Sequence, residues 1–266
     1  MMYHQETRNG VSLDAVYDGR LALFQSKNGY RLSVDALLLT YFVCTGKAVR
    51  RGVDLGTGCG VVGLGLLLAQ WVDAVVGVEI QPRLAALASQ NAELNQLNTR
   101  FQVVTGDLRD QHHGLTASNF DLVVSNPPFW PMGTGRPPAN EERRLACHES
   151  HGDIYDWMSS AARLLNQKRG RFALVFPSQR LDDLFDALGA AHLHISRLRP
   201  VHPTAGADAE LVLVEARWGK RGHVRLEPAL VLKDDTGRDT PEASSIVSGQ
   251  FSPALCTLED KRPKYM

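Results

Sequence analysis

The stretch that decides the fold is Val53-Asp54-Leu55-Gly56-Thr57-Gly58-Cys59-Gly60, which ends a short β-rich run and opens an apolar helix. Glycine permits a tight turn and a close approach of the backbone to a ligand, and the helix that follows presents unpaired N–H groups. Residues 58–63 also spell G-x-G-x-x-G, a dinucleotide fingerprint that is weak when it stands alone. The stretch therefore predicts a βα unit with a ligand-binding turn.

From about residue 51 onward, short β-rich runs alternate with helical stretches, which indicates βαβ units and a parallel sheet. Apolar runs such as AVVGV and FALVF are typical of strands covered by helices on both faces. The candidate strands are Gly52–Leu55, Ala74–Glu79, Phe101–Thr105, Leu122–Ser125 and Phe172–Phe176. The candidate helices are Gly60–Gln70, Pro82–Asn95, Ile154–Asn166 and Arg180–Leu188.

Two later β-rich runs, Leu193–Val201 and Leu211–Arg217, are joined by a turn-rich stretch without a helix, which predicts an antiparallel hairpin. The expected architecture is an α/β, Rossmann-like fold: a seven-stranded, mostly parallel sheet with a terminal antiparallel hairpin and helices on both faces. We expect residues 1–50 to form an N-terminal segment packed on the core and residues 51–232 to form the main domain. Residues 233–266 are polar and predict a loose tail.

The composition is typical of a soluble globular enzyme, with 266 residues, 44% hydrophobic and 22% charged. The longest apolar run, near Val61–Ala69, is far shorter than the roughly 20 residues that cross a bilayer. Four scattered cysteines and nine histidines show no metal-ligand spacing, so we expect a cytoplasmic protein without a metal. Lys+Arg and Asp+Glu both number 29, so net charge gives no support for nucleic-acid binding, although a local basic patch can still bind phosphates.

Three acids lie where a ribose-bearing cofactor needs hydrogen-bond acceptors. Glu79 ends the second strand, where a carboxylate can accept hydrogen bonds from both ribose hydroxyls. Asp107 follows the third strand and can accept one from an adenine amine. Asp54 would repel the pyrophosphate of NAD but suits the cationic amine and sulfonium of S-adenosyl-L-methionine. S-adenosyl-L-methionine is therefore the favoured cofactor, and a dehydrogenase that uses NAD is the weaker alternative.

The strand Leu122–Ser125 runs directly into Asn126-Pro127-Pro128-Phe129. Two prolines cannot continue a sheet ladder, and ligands bind at the carboxyl ends of strands in such sheets. The Asn126 side-chain oxygen and the Pro127 carbonyl can accept both N–H hydrogens of a planar amine, which frees its lone pair, and Phe129 offers a ring for stacking. The motif predicts methylation of an exocyclic amine of adenine or guanine, or of a protein glutamine amide.

Over roughly residues 20–232 the chain resembles the bacterial valine-tRNA adenine-N6 methyltransferases. Similar segments are YRLSVDALLL at 30–39, VDLGTGCGVVGL, GVEI, SNPPF and RLACHE at 144–149. The resemblance implies the class I methyltransferase fold and transfer of a methyl group to the N6 amine of an adenine in tRNA. It implies a cofactor site at Asp54, Gly56, Gly58 and Glu79 with Asp35 lying over the cofactor, and an amine site at Asn126, Pro127 and Phe129.

Other functions remain open at the level of the sequence. Guanine-N2 methylation of rRNA and methylation of a protein glutamine use related motifs, whereas a non-catalytic RNA factor that binds the cofactor has no need of Asn126 and Phe129. We expect a monomer. The basic residues available for RNA are Lys47, Arg50, Arg51, Arg143, Arg144, Lys168, Arg169, Arg171, Lys220, Arg221 and Arg225, with Arg143 and Arg144 ranked first because their loop follows the motif.

Overall fold

The structure is a computed structural model, and it describes residues 4–6, 10–27, 29, 31–45, 47–110, 115, 120–129, 152–219 and 222–251. The strands are β1 His4–Glu6, β2 Val11–Val16, β3 Leu21–Ser26, β4 Val49–Leu55, β5 Val72–Glu79, β6 Phe101–Thr105, β7 Leu122–Ser125, β8 Arg171–Pro177, β9 Leu193–Thr204, β10 Leu211–Trp218, β11 Arg225–Leu226 and β12 Leu230–Lys233. The helices are α1 Val34–Cys44, α2 Val61–Leu68, α3 Pro82–Leu94, α4 Ile154–Leu164, α5 Leu181–Ala190 and α6 Pro241–Val247.

The main sheet has the strand order β11-β9-β10-β8-β7-β4-β5-β6, and β12 also pairs with β9. Strands β4 to β8 are parallel to one another, whereas β10 is antiparallel to both β8 and β9. The expected fold is therefore confirmed: β4 to β10 are seven strands that end in an antiparallel hairpin. The parallel registers bring Leu55, Glu79 and Ser125 to the same edge of the sheet.

Helices cover both faces of this sheet. Successive residues of a strand point to opposite faces, and because the central strands β7 and β8 carry apolar residues on both, both faces need a covering layer. On β7, Leu122 and Val124 join the core that includes α1, α2 and α3, whereas Val123 joins the core that includes α4 and α5. Helix α1 lacks a polar stripe because every residue from Ala36 to Cys44 is buried. None of the described helices has the length and apolar character needed to cross a membrane.

A separate three-stranded antiparallel sheet, β1-β2-β3, precedes α1. Two asparagines of α3 dock it on the main domain by bonding the backbone of β3. Asn95 accepts from the Ala22 N–H at 3.0 Å and donates to the Ala22 carbonyl at 2.7 Å. Asn91 accepts from the Phe24 N–H at 2.6 Å and donates to the Phe24 carbonyl at 3.1 Å. The two amides therefore replace a neighbouring strand along this edge of β3.

The segment from Lys233 to Phe251 differs from the loose tail that its polar composition predicted. Helix α6 begins after Thr240, whose hydroxyl accepts from the Ala243 N–H at 3.2 Å, and it has proline in its first turn. Glu242 pairs with Arg199 at 2.8 Å, and Ile246 is buried in the core beside α1. A Thr-Pro start is a recognised helix signal, so this helix was detectable in the sequence.

Candidate active site

A cleft with an empty volume of about 1040 Å3 opens at the carboxyl edge of the parallel strands. The turn after β4 and the residues after β5, β6 and β7 line it, together with Leu32 and Ser33 from before α1. The cleft brings together the predicted residues Asp54, Gly56, Gly58, Glu79, Asp107 and Asn126.

The glycine-rich turn needs glycine at Gly56 and Gly58 for different reasons. Both residues have left-handed φ angles, +67° and +57°, which L side chains rarely adopt. A Cβ atom on Gly56 would lie 2.5 Å from the Trp157 ring, so the turn and helix α4 leave no room for a side chain there. A Cβ atom on Gly58 would meet no atom within 4 Å, so this backbone faces open space where a ligand can approach.

Asp54 organises the turn from the end of β4. Its side chain is 1% exposed, and one carboxylate oxygen accepts from the Thr57 hydroxyl at 2.7 Å and from the Gly63 N–H at 3.1 Å. Burial raises the pKa of Asp54 to about 7, against the opposing effect of these two hydrogen bonds, and the charge of Glu79 raises it further. A cation bound in the cleft would restore the charged form of this carboxyl.

Glu79 closes the other side of the turn. One carboxylate oxygen accepts from the Gly58 N–H at 2.8 Å, and the other accepts from the Gln81 N–H at 2.9 Å. These bonds fix the orientation of the side chain at the edge of the cleft. The ribose-binding role that the sequence assigned to Glu79 stays a prediction.

The two remaining acids have partners that the sequence did not indicate. Asp107 lines the cleft, but both its oxygens bind the Arg109 guanidinium, and Arg109 must yield an oxygen if Asp107 is to accept from an adenine amine. Asp35 lies in the first turn of α1 between the lining residues Ser33 and Ala36. Burial raises the pKa of Asp35, and the Ser33 hydroxyl donates to it at 2.9 Å.

The Asn-Pro-Pro-Phe motif leaves the sheet at the end of β7. Asn126 and Pro128 line the cleft, and Pro127 is buried. The Phe129 ring packs edge-on against Phe176 at 6.3 Å between ring centres, and the Phe129 carbonyl accepts from Arg180 at 2.8 Å. The structure therefore places the asparagine beside the cofactor turn and shows an anchoring contact for Phe129, which the sequence assigned to base stacking.

Several lining residues were missed by the sequence analysis. Trp157 reaches the cleft from α4 and packs on Gly56. Its helix is fixed by a capping box between Asp153 and Asp156, a signal that located the helix but not the ring. Three apolar side chains that can cover the faces of a planar base also line the cleft, two directly after predicted acids and one in α3. These are Ile80, Leu84 and Leu108.

The chemistry of the cleft fits S-adenosyl-L-methionine. The charged side chains among its described lining residues are the carboxylates Asp54, Glu79 and Asp107, with no arginine or lysine. Carboxylates accept hydrogen bonds from a ribose and attract the cationic amine and sulfonium, whereas they repel the pyrophosphate of NAD. Within the part of the chain that the structure describes, His, Cys, Asp and Glu side chains form no group able to hold a metal ion.

Among the described residues, the basic side chains proposed for RNA contact do not line this cleft. Arg50 and Arg51 begin β4, and Lys168 and Arg169 precede β8, so they lie at the amino edge of the sheet. The prediction that Arg171 is available for RNA was wrong, because this residue is 5% exposed and its side chain pairs with Glu215 at 3.4 Å. Arg143, Arg144, Lys220 and Arg221 lie outside the described residues.

Comparisons with known proteins agree with this site. The family model described as methyltransferase small domain matches residues 33–137. A tRNA1(Val) (adenine(37)-N6)-methyltransferase of Porphyromonas gingivalis is 30% identical over 84% of this chain and 89% of its own length. One of Aeromonas salmonicida is 30% identical over 69% of this chain and 75% of its own length.

Among solved structures, a predicted O-methyltransferase of Agrobacterium tumefaciens, protein Atu636, shares the fold. Its TM-score is 0.63 at 23% sequence identity, and the match covers 81% of this chain and 96% of that one. Together with the acid-lined cleft and the relatives that match over most of both chains, these findings show that the chain belongs to the family of tRNA1(Val) (adenine(37)-N6)-methyltransferases and uses S-adenosyl-L-methionine.

Proposed function

We propose that the protein transfers the methyl group of S-adenosyl-L-methionine to the N6 amine of adenine 37 in a valine tRNA. The observation that carries the proposal is the meeting of Asn126 with Asp54 and Glu79 in one cleft at the carboxyl edge of the sheet. The relatives whose names specify this reaction match the chain across both parts of that cleft. The proposed partner is therefore tRNA.

The cofactor side of the cleft is assigned to three carboxylates. Glu79 accepts from the ribose hydroxyls, Asp107 from the adenine amine, and Asp54 stabilises the cationic end through the turn. Asp35 and the backbone of Gly56 and Gly58 line or border the same space. When bound, the cofactor supplies an already activated methyl group, so the protein contributes positioning and electrostatics.

The target side is assigned to the Asn-Pro-Pro-Phe motif. An adenine amine is a weak nucleophile because its lone pair is delocalised into the ring. The Asn126 side-chain oxygen and the Pro127 carbonyl accept its two N–H hydrogens and draw the nitrogen toward tetrahedral geometry. This role needs no nucleophilic cysteine. Cys59 borders the cleft, and burial raises its pKa to about 12, which keeps its thiol neutral.

The direct test is methyl transfer from labelled S-adenosyl-L-methionine to bulk tRNA from a strain that lacks this gene, followed by mass spectrometry of the nucleosides. We expect the label as N6-methyladenosine, mapped to position 37 of a valine tRNA. The Asn126→Ala variant is the negative control because it should still bind the cofactor. If tRNA takes up no label while cofactor binding is intact, the substrate is another amine, and rRNA, DNA and protein glutamine are tested in turn.

A further inference from the structure

One wall of the cleft comes from outside the parallel sheet. Leu32 and Ser33 line it, and they lie just before α1 in the segment that follows the N-terminal sheet. Such a segment needs fixed contacts to keep its place, because the ordering of a loose wall on ligand binding costs free energy. The source of those contacts is a group of buried polar side chains in β2 and β3.

This group, the β2–β3 polar cluster, consists of Ser12, Asp14 and Gln25, which are 0%, 3% and 2% exposed. The Gln25 amide nitrogen donates to Asp14 at 2.7 Å, and the Gln25 amide oxygen accepts from the Leu32 N–H at 2.6 Å. Arg31 donates to both oxygens of Asp14 at 3.0 Å. Two consecutive residues, Arg31 and Leu32, are therefore tied to the cluster, one by its side chain and one by its backbone.

The cluster is also connected to the cofactor turn. Asn91 is fully buried on α3 and bonds the backbone of Phe24, the neighbour of Gln25. The same Asn91 amide nitrogen donates to the Cys59 carbonyl of the glycine-rich turn at 2.8 Å. Asn95 makes the equivalent contacts to Ala22, and its other described bond is to the Asn91 carbonyl. The two asparagines are thus a matched pair, of which Asn91 reaches the turn.

We propose that Gln25 and Asp14 are positioning residues for the cofactor: they hold Leu32 and Ser33 against the cleft before the cofactor arrives. Neither residue lines the cleft, so they act through the backbone of Leu32 and the side chain of Arg31. The inference rests on the assignment of the cleft to S-adenosyl-L-methionine. It makes the N-terminal sheet a functional part of the cofactor site.

The first test compares Gln25→Met with Asn95→Ala. Gln25→Met keeps the length of the side chain and removes both of its hydrogen bonds, so the Kd for S-adenosyl-L-methionine should rise about tenfold. The KM for tRNA, and kcat at saturating cofactor, should change by less than about twofold. Asn95→Ala also removes partly buried bonds to β3 and should lower the Tm, but it should leave the Kd within about twofold of the native value.

The second test exchanges the two polar groups. Gln25→Glu alone places a second carboxylate against Asp14 and should raise the Kd for the cofactor by about tenfold or more. The double variant Gln25→Glu with Asp14→Asn restores an amide–carboxylate pair, keeps an acceptor for the Leu32 N–H and leaves one amide oxygen for Arg31. Its Kd should therefore return to within about threefold of the native value.

Two results would overturn the inference. One is an equal shift of the Kd in Gln25→Met and Asn95→Ala, and the other is a double variant that binds S-adenosyl-L-methionine as weakly as Gln25→Glu does. The Glu79→Ala variant is measured beside them. If it too leaves the Kd unchanged, the cofactor does not occupy the cleft, and the proposed function itself fails.

Discussion

The cofactor half and the target half of the cleft are held in different ways. In the cofactor half, Glu79 and Asn91 bond the backbone of the glycine-rich turn, and Asp54 accepts from the Thr57 hydroxyl and from the Gly63 N–H of α2. All three side chains are at most 5% exposed. In the target half, the chain leaves β7 at Asn126 without regular secondary structure, and Phe129 is fixed by Arg180 and Phe176. The cofactor site is therefore built into the core, and the amine site is attached to its edge.

The difference suggests that each half can be damaged without the other. A change in the turn should alter cofactor affinity and stability together, because the same hydrogen bonds serve both. A change in the motif should alter turnover and leave both largely intact. Five substitutions or conditions test this separation.

Asn126→Ala should have the largest effect. It removes the acceptor proposed to polarise the amine, so kcat should fall by about 100-fold or more, in line with the loss of other groups that act mainly in the transition state. The Kd for S-adenosyl-L-methionine, measured by calorimetry, should stay within about twofold. Full activity in this variant would refute the amine-polarising role.

Gly56→Ala should cost the most stability. The added Cβ would lie 2.5 Å from the Trp157 ring at a residue with a φ of +67°, so we expect a loss of about 2 to 3 kcal/mol in the free energy of unfolding. Gly58→Ala is the matched control, because it has a similar φ of +57° and open space; it should lose about 1 kcal/mol. Urea denaturation of both variants measures these losses. Equal losses in the free energy of unfolding would show that the Trp157 contact is unimportant.

Glu79→Ala should raise the Kd for S-adenosyl-L-methionine by about 20-fold, because it removes the proposed ribose acceptor and the hydrogen-bond partner of the Gly58 and Gln81 N–H groups. The kcat at saturating cofactor should fall much less. Titration of the variant with S-adenosyl-L-methionine measures the first effect, and single-turnover kinetics measure the second. A large loss of kcat with an unchanged Kd would show that Glu79 acts on the target amine and not on the cofactor.

The pH dependence of cofactor binding should report Asp54. An unfolded aspartate ionises near pH 4, and the pKa of Asp54 is raised to about 7 in the fold. In the cofactor-free protein this carboxyl therefore opposes folding increasingly as pH rises from about 4 to 7. A cationic ligand favours its charged form, so affinity should rise roughly eightfold between pH 6 and pH 7.5. Asp54→Asn should remove this rise, and an unchanged pH profile in the variant would exclude Asp54 as its source.

Arg180→Met should have the smallest effect. It removes the bond to the Phe129 carbonyl and the contact with the Phe176 ring, so kcat should fall by about fivefold with no change in cofactor Kd. Asp183→Asn is the control, since it removes an exposed partner of Arg180 and leaves the Phe129 contact in place. Equal losses in the two variants would assign the effect to the ion pair.

The core of the fold was predictable because its strands are continuous apolar runs. The bounds of β6 and β7 are those expected from the sequence. Strand β4 begins three residues earlier than expected, at Val49, because the exposed Arg50 and Arg51 interrupt the apolar pattern by which a strand is detected. Helix α2 ends two residues early, since Gln70 has a left-handed φ of 57° just beyond it. Single residues with special backbone angles are invisible to periodicity.

The candidate site was predictable where a motif adjoins a strand. Asp54, Glu79 and Asn126 meet in the cleft because parallel strands end at one edge. Trp157, Leu32 and Asn91 were not identified, because they reach the cleft or the turn from elements far away in the sequence. The assigned roles of the predicted site residues remain predictions until the variants are measured.

The contact between the two ends of the described chain has a consequence for synthesis. Arg20 donates to the Ser248 carbonyl, 228 residues later, and the Tyr17 and Phe251 rings meet with their centres 5.0 Å apart. A ribosome adds roughly 5–20 residues per second, so this stretch takes on the order of ten to fifty seconds to translate. For that interval the turn between β2 and β3 carries Tyr17 and Arg20 without the ring and the carbonyl that they contact in the folded protein. The contacts of Tyr17 and Arg20 with residues 248–251 are thus among the last in the described chain that can form during synthesis.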